Sequence, residues 1–186
     1  MLDSPLYMPP MLNRPGEVTI TPWSYQSLAV PFFPTDNAGP TSQNFITANL
    51  AVFIPFYVPE PVTITKLFWG NGQAVAGNLD AGIYDTAGTR LASTGTTAQA
   101  TVSVLQSVDI TDITLARGTY YLALASDTSG ATQKVIAALP SAGIPQSLGL
   151  LQMAAAFVLP ASATFAAYAS AFIPLVGAQG YRTVGP

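Results

Sequence analysis

Five of the nine acidic residues in this 186-residue chain, Asp80, Asp85, Asp109, Asp112 and Asp127, are the candidates for acid–base or metal chemistry. The chain has no histidine, which removes the commonest general base and metal ligand. It has no cysteine either, so Ser-His-Asp and Cys-His arrangements, disulfides and thiolate metal sites are all excluded. Asp80 and Asp85 flank one expected strand, and Asp109 and Asp112 lie in or beside another. Two carboxylates facing one cleft at a set separation would suit glycoside hydrolysis. Acidic residues at strand ends more commonly form turns, and that reading is preferred. Calcium would accept oxygens from Asp36-Asn37 and Asp127-Thr128-Ser129-Gly130, but neither stretch has the dense acidic spacing of a calcium loop. The expectation is therefore no catalytic residue, no metal and no cofactor. Gly70-Asn71-Gly72 lacks a following Lys-Ser/Thr and reads as a hairpin turn, not a phosphate loop. Trp23, Tyr57, Trp69 and Tyr121 have rings that could stack on sugars, with Trp69 and Tyr121 the named glycan candidates. Packing inside strands is the commoner fate of such rings.

The elements that would position these residues centre on the stretch from Pro61 to Ala125, a meander of short strands. Leu79 to Tyr84 reads as a strand, Asp85-Thr86-Ala87-Gly88-Thr89 as a turn with a glycine free to take positive φ, and Arg90 to Thr94 as the returning strand. Val108, Ile110, Ile113 and Leu115 lead into a turn at Ala116-Arg117-Gly118. Beyond it, Tyr120, Leu122 and Leu124 alternate with Tyr121, Ala123 and Ala125. This period of two places one set in a core and leaves small residues or an aromatic on the other face. Earlier, Val18 to Trp23 and Leu28 to Phe33 read as proline-interrupted edge strands, residues 35–44 as a polar loop and Leu50 to Val58 as a strand. A further strand is expected near Gln133 to Leu139, and Pro174-Leu175-Val176 as a return to the sheet. The expected fold is an all-β, antiparallel β-sandwich of jelly-roll-like kind. It carries an extended N-terminal arm over residues 1–17, and residues 18–186 form a single domain with an apolar, partly helical excursion at about 140–173.

Hydrophobic residues make up 49% of the chain and charged residues 8%, against roughly 25% charged in ordinary domains. A surface dressed by Thr, Ser, Asn, Gln, Ala and Gly is poorly guarded against self-association, which points to life in an assembly. The net charge is −3, and the six basic residues are scattered, so no basic stripe is present for direct nucleic-acid binding. The first ten residues lack the ordered features of a secretory signal. The apolar region from Val135 to Val176 is divided by Pro140, Pro145, Pro160 and Pro174. It therefore lacks the roughly 20 uninterrupted apolar residues of a membrane span.

Pro5, Pro9, Pro10 and Pro15 make the N-terminal segment extended. Its apolar side chains, Leu2, Leu6, Tyr7, Met8, Met11 and Leu12, are unusual for a solvated tail. They read as contacts that anchor the chain to another subunit or scaffold. In the excursion, alanine content favours short helices over 148–158 and 164–172. Leu150, Leu151, Phe157, Phe165, Tyr168 and Phe172 read there as further assembly contacts, arranged around a three-fold axis.

The phrases Pro55-Phe56-Tyr57-Val58-Pro59, Val62-Thr63-Ile64, Ala81-Gly82-Ile83-Tyr84-Asp85 and Leu115-Ala116-Arg117-Gly118-Thr119-Tyr120-Tyr121-Leu122-Ala123 resemble the β-sandwich structural proteins of tailed bacteriophages. These are head-fibre, decoration and tail-fibre-type components. The resemblance covers about Val52 to Ala138 and carries no catalytic residues. It implies a virion component assembled in the host cytoplasm, homo-oligomeric and joined to other virion proteins. A carbohydrate-binding module that recognises a host surface glycan is the alternative, and a sandwich-fold hydrolase the next.

Overall fold

A computed structural model of the chain describes residues 17–20, 41–45, 47–136 and 141–182. The strands in chain order are β1 (Glu17–Ile20), β2 (Thr41–Asn44), β3 (Ala51–Val58), β4 (Val62–Gly70), β5 (Asn78–Tyr84), β6 (Arg90–Ser93), β7 (Thr97–Ala98), β8 (Leu105–Leu115), β9 (Gly118–Ser126) and β10 (Thr132–Ile136). A five-residue helix, α1 (Gly143–Ser147), precedes β11 (Leu151–Met153), β12 (Ala166–Ala167), β13 (Ile173–Pro174) and β14 (Val176–Arg182).

Two antiparallel sheets form the sandwich. The first runs β1-β14-β4-β8; the second runs β12-β11-β3-β9-β5-β6, with β7 paired to β5. A small sheet, β13-β10-β2, continues from the end of β4, where the Gly70 N–H donates to the Leu175 carbonyl at 3.0 Å. The β5–β6 hairpin expected at Asp85–Gly88 is present, with Gly88 at φ 86°. The turn at Ala116–Gly118 instead carries the chain from one sheet to the other, since β8 pairs with β4 and β9 with β3 and β5.

Period-two alternation explains the interior. Val52, Ile54, Phe56 and Val58 of β3, Leu79, Ala81 and Ile83 of β5, and Leu122 and Leu124 of β9 point from the second sheet. They meet Val62, Ile64, Leu67 and Trp69 of β4 and Val176 and Ala178 of β14 from the first. Each such aliphatic side chain taken fully from water contributes about 1.5–3 kcal/mol before the entropy of ordering it.

The second sheet is also covered on its outer face. Ala51, Phe53, Tyr84, Ala123 and Ala125 pack there against Ala156, Leu159 and Ala163, with Phe157 and Phe165 partly buried alongside. Residues 154–165 thus form a strap across the sheet, giving three layers: sheet, sheet and strap. Small residues on β3 and β9 let the strap backbone approach closely, and Phe53 meets Tyr84 and Phe165 edge-to-face at 5.1 and 5.0 Å.

Several expectations change accordingly. The excursion is not helical over 148–158 or 164–172; α1 is the only helix among the described residues. Alanine's helix propensity loses there to the burial of a second sheet face. Gly70-Asn71-Gly72 is not a hairpin turn, because β4 and β5 belong to different sheets. Asn71 instead makes an isolated bridge with Gln133, in close quarters: a Cβ on Gly72 would lie 2.3 Å from Thr132 Oγ1. Part of the expected polar loop, Thr41–Asn44, is a strand paired with β10. Residues 1–16, and with them Leu2, Leu6, Tyr7, Met8, Met11 and Leu12, lie outside the described residues, as do Trp23, Asp36 and Asn37.

Candidate functional site

A cluster of ionisable and polar groups lies beneath the strap. Asp80 falls in the middle of β5, on the strand's outer face, and is fully buried. Its Oδ2 accepts the Leu159 N–H at 3.0 Å, and its Oδ1 accepts from Thr94 Oγ1 at 3.3 Å. Thr94 Oγ1 in turn accepts the Ala81 N–H at 3.0 Å. The Arg90 guanidinium donates to the Leu159 carbonyl, and the buried Tyr84 hydroxyl donates to the Pro160 carbonyl at 2.6 Å. Three side chains of the β5–β6 hairpin, Asp80, Arg90 and Tyr84, therefore clasp two consecutive strap residues, while Thr94 braces Asp80.

Backbone bonds extend the clasp in both directions. The Ala156 N–H donates to the Asn49 carbonyl at 2.7 Å, the Arg90 N–H to Ala161 at 2.9 Å and the Ala163 N–H to Gly88 at 2.7 Å. Burial pushes the Asp80 carboxyl above its ordinary value, opposed by the Leu159 N–H, the Thr94 hydroxyl and the Arg90 charge. Burial likewise raises Tyr84 far above the usual phenol range, so its hydroxyl stays a donor.

The other aspartates are turn formers or surface charges. Asp85 Oδ1 accepts the Ala87 and Thr89 N–H groups at 2.9 and 2.8 Å, closing its own turn. Asp127 accepts from Asn78 at both oxygens, from the backbone N–H at 2.8 Å and from Nδ2 at 2.7 Å. Asp109 pairs with Lys66 at 3.0 Å on the first sheet, and Asp112 is exposed farther along β8. Asp80 and Asp109 stand on different sheets, so the two aspartate pairs do not share a cleft. The described residues contain no group of three or more acidic side chains placed to hold a metal ion.

Trp69, a glycan candidate, is fully buried between the sheets, with its indole N–H donated to Asn71 Oδ1 at 3.0 Å. That placement removes its face from any stacking surface. Tyr121 is half-buried, its ring 5.0 Å from that of Phe165. Past it on the same face, Tyr57 is 41% exposed and accepts from Arg117 Nε at 2.7 Å. Of the residues expected to make assembly contacts, Leu150 and Tyr168 are buried within the subunit. Leu151, Phe157 and Phe165 are partly buried against the second sheet, and Phe172, also half-buried, accepts the Tyr168 hydroxyl at its carbonyl at 2.7 Å.

Two features escaped the sequence reading. One is the role of Arg90 and Asp80 as partners of the strap. Its signal was an aspartate inside the apolar run Leu79-Asp80-Ala81-Gly82-Ile83, since a charge there must be paired or neutralised. The other is an amide network at the end of β4. Asn71 Nδ2 reaches the Ala100 and Thr101 carbonyls and Gln106 Oε1, while Gln99 Nε2 donates to the Thr132 carbonyl at 2.7 Å. This network fixes the loop that displays Val102, Val104 and Leu105, which are 48%, 42% and 62% exposed.

The geometry defines an all-β sandwich in which Asp80, Asn71 and Gln99, all buried, bond backbone groups of their own chain. Comparison with protein-family models and with curated proteins finds no match to the chain.

Proposed function

We propose that this chain is a structural component of a bacteriophage virion, of head-fibre, decoration or tail-associated kind, that assembles by subunit packing and anchors through residues 1–17. The observation that carries the reading is the destination of the polar side chains. Asp80, Asp85, Asp127, Asn71 and Gln99 all bond backbone groups of their own chain, holding loops and the strap in place. Such use of polar groups builds a rigid block with a weakly charged surface, suited to packing among other subunits. The phrases that resemble phage sandwich proteins fall on β3, β4, β5 and the β8–β9 connection, the strands that line the interior. With Phe157 and Phe165 packed against the second sheet, assembly contacts are assigned to the arm and to exposed apolar side chains such as Val102, Val104 and Leu105.

Immunogold labelling of purified phage particles with an antibody to this chain tests the reading. Label at a fixed place on the particle is expected; recovery of the chain only outside particles overturns it. Removal of residues 1–16 leaves a folded chain that fails to join particles, and normal incorporation would sink the anchoring role. One observation favours the glycan-binding alternative: Tyr57, Arg117 and Tyr121 present an aromatic and cationic strip at one end of the second sheet. A glycan array blank for the wild type removes that alternative, and binding lost in Tyr57→Ala supports it.

A further inference from the structure

The strap is tied by Asp80, Arg90 and Tyr84, and Asp80 is the only carboxyl among them. Residues 154–165 contain no titratable side chain of their own, and their midpoint is held by a carboxyl that has no exposure to water while the strap is down. The groups facing Asp80 are few. From β6 comes the Arg90 guanidinium, and from β5 comes Tyr84, held neutral by burial. Thr94 and the Leu159 and Gly95 N–H groups complete the shell. Asp85, at the far end of the hairpin, is bonded to its own turn. Lifting the strap would break the Leu159–Asp80 and Pro160–Tyr84 bonds together and admit water to the carboxyl. It would also uncover an apolar strip comprising Ala51, Phe53, Ala123 and Ala125.

We infer that the Asp80–Arg90–Tyr84 clasp makes the strap a proton-sensitive cover over the second sheet, held shut when Asp80 is protonated and loosened when it ionises. The sign follows from linkage. Burial dominates and raises the carboxyl of the closed form, so the closed form binds a proton more readily than the opened one. The stabilisation of the closed strap is therefore complete below the ordinary carboxylate value. It is lost as pH rises through the raised value of the closed form. Within that window, the opening equilibrium constant grows by up to about tenfold per pH unit. Above the window it is constant.

Hydrogen exchange of the full chain, followed by mass spectrometry from pH 4 to 8 and corrected for intrinsic rates, reads this constant directly. Peptides over 154–165 are expected to show the rise, and peptides over β4 to show none. In Asp80→Asn, which is neutral throughout, the strap profile should be flat. A carbon-13 titration of the Asp80 carboxyl in the wild type should share its midpoint with the strap profile, which keeps the test decisive if Asp80→Asn does not fold. A flat wild-type strap profile, an equal slope in Asp80→Asn, or a carboxyl midpoint displaced from the strap midpoint overturns the inference.

Discussion

Gly180 is the position at which one added methyl group should do most damage. It lies in β14 opposite a bulge in β4, where the register passes from Ile64 to Lys66 and skips Thr65 in both ladders of that strand. A Cβ built on Gly180 would stand 1.9 Å from the Thr63 carbonyl oxygen, 2.8 Å from its carbon and 2.9 Å from Ile64 Cα. All three atoms are backbone of a strand hydrogen-bonded on both sides, so none can turn aside as a side-chain end could. Overpacking of cores usually costs about 1–3 kcal/mol, and a clash this short between ladder strands belongs at or above the upper figure. A loss of about 3 kcal/mol in a domain of this size lowers Tm by roughly 6–12 °C. Two other glycines separate space from backbone angle. Gly95 has φ 65° and nothing within 4 Å, so Gly95→Ala should cost only the left-handed conformation, about 1–2 kcal/mol. Gly118 would place its Cβ at an ordinary 3.6 Å from the Tyr120 ring, so Gly118→Ala should be tolerated best of the three. Thermal and urea denaturation of the three variants should rank Gly180, then Gly95, then Gly118. Gly180→Ala within about 1 kcal/mol of wild type would refute the close approach of β14 to the bulge.

Tyr84→Phe deletes the donor to the Pro160 carbonyl without opening a large cavity. It should cost about 1–3 kcal/mol, with exchange accelerated in the strap before β4; unchanged strap protection would contradict the clasp. Asn71→Ala leaves the Trp69 indole N–H and the Ala100 and Thr101 carbonyls without their partner. Of these the indole N–H is the one left buried, so a loss of roughly 1–3 kcal/mol should appear in urea denaturation, with faster proteolysis of the 99–104 loop. Lys66→Ala removes an ion pair whose side chains are 44% and 81% exposed, so a double-mutant cycle with Asp109→Ala should return a coupling under about 1 kcal/mol that fades with salt.

The meander was legible because its strands combine two strong local signals. Asp85 to Thr89 supplies a turn with Gly88 at positive φ, and the bonds from Asp85 to Ala87 and Thr89 are the turn-forming role its position suggested. The alternation of Leu122 and Leu124 with Ala123 and Ala125 marked the interior face correctly. The strap was less legible because a short apolar run with alanines suits a helix, a buried strand or an irregular cover equally well by composition. Its location depends on contacts some 80 residues away in sequence, as between Leu159 and Asp80. For Trp69 packing was the preferred reading, and its burial agrees, but the layer it faces was not legible for the same reason. An aromatic residue in a strand can face either layer, and the pairing of Gly70 with Leu105 and of Trp69 with Val176 sets its direction.

A residual signal for the third layer was nonetheless present in the strands themselves. A sheet face open to water leaves polar residues at every second position, whereas strands buried on both faces read as near-continuous apolar runs. β8 follows the first rule: Ser107, Asp109, Thr111 and Asp112 are exposed while Val108, Ile110 and Ile113 pack inward. β3 and β9 follow the second, with Ala51, Phe53, Ala123 and Ala125 on the side away from the main interior. Alanine at those sites carries a further meaning, since a cover without regular pairing must bring its backbone close to the sheet and find partners for its own N–H and carbonyl groups. The sheet provides those partners through Asp80, Arg90 and Tyr84, polar side chains in strands that otherwise need none. A continuous apolar strand with one acid and small outward residues thus specifies both that a layer lies above it and where that layer is tied.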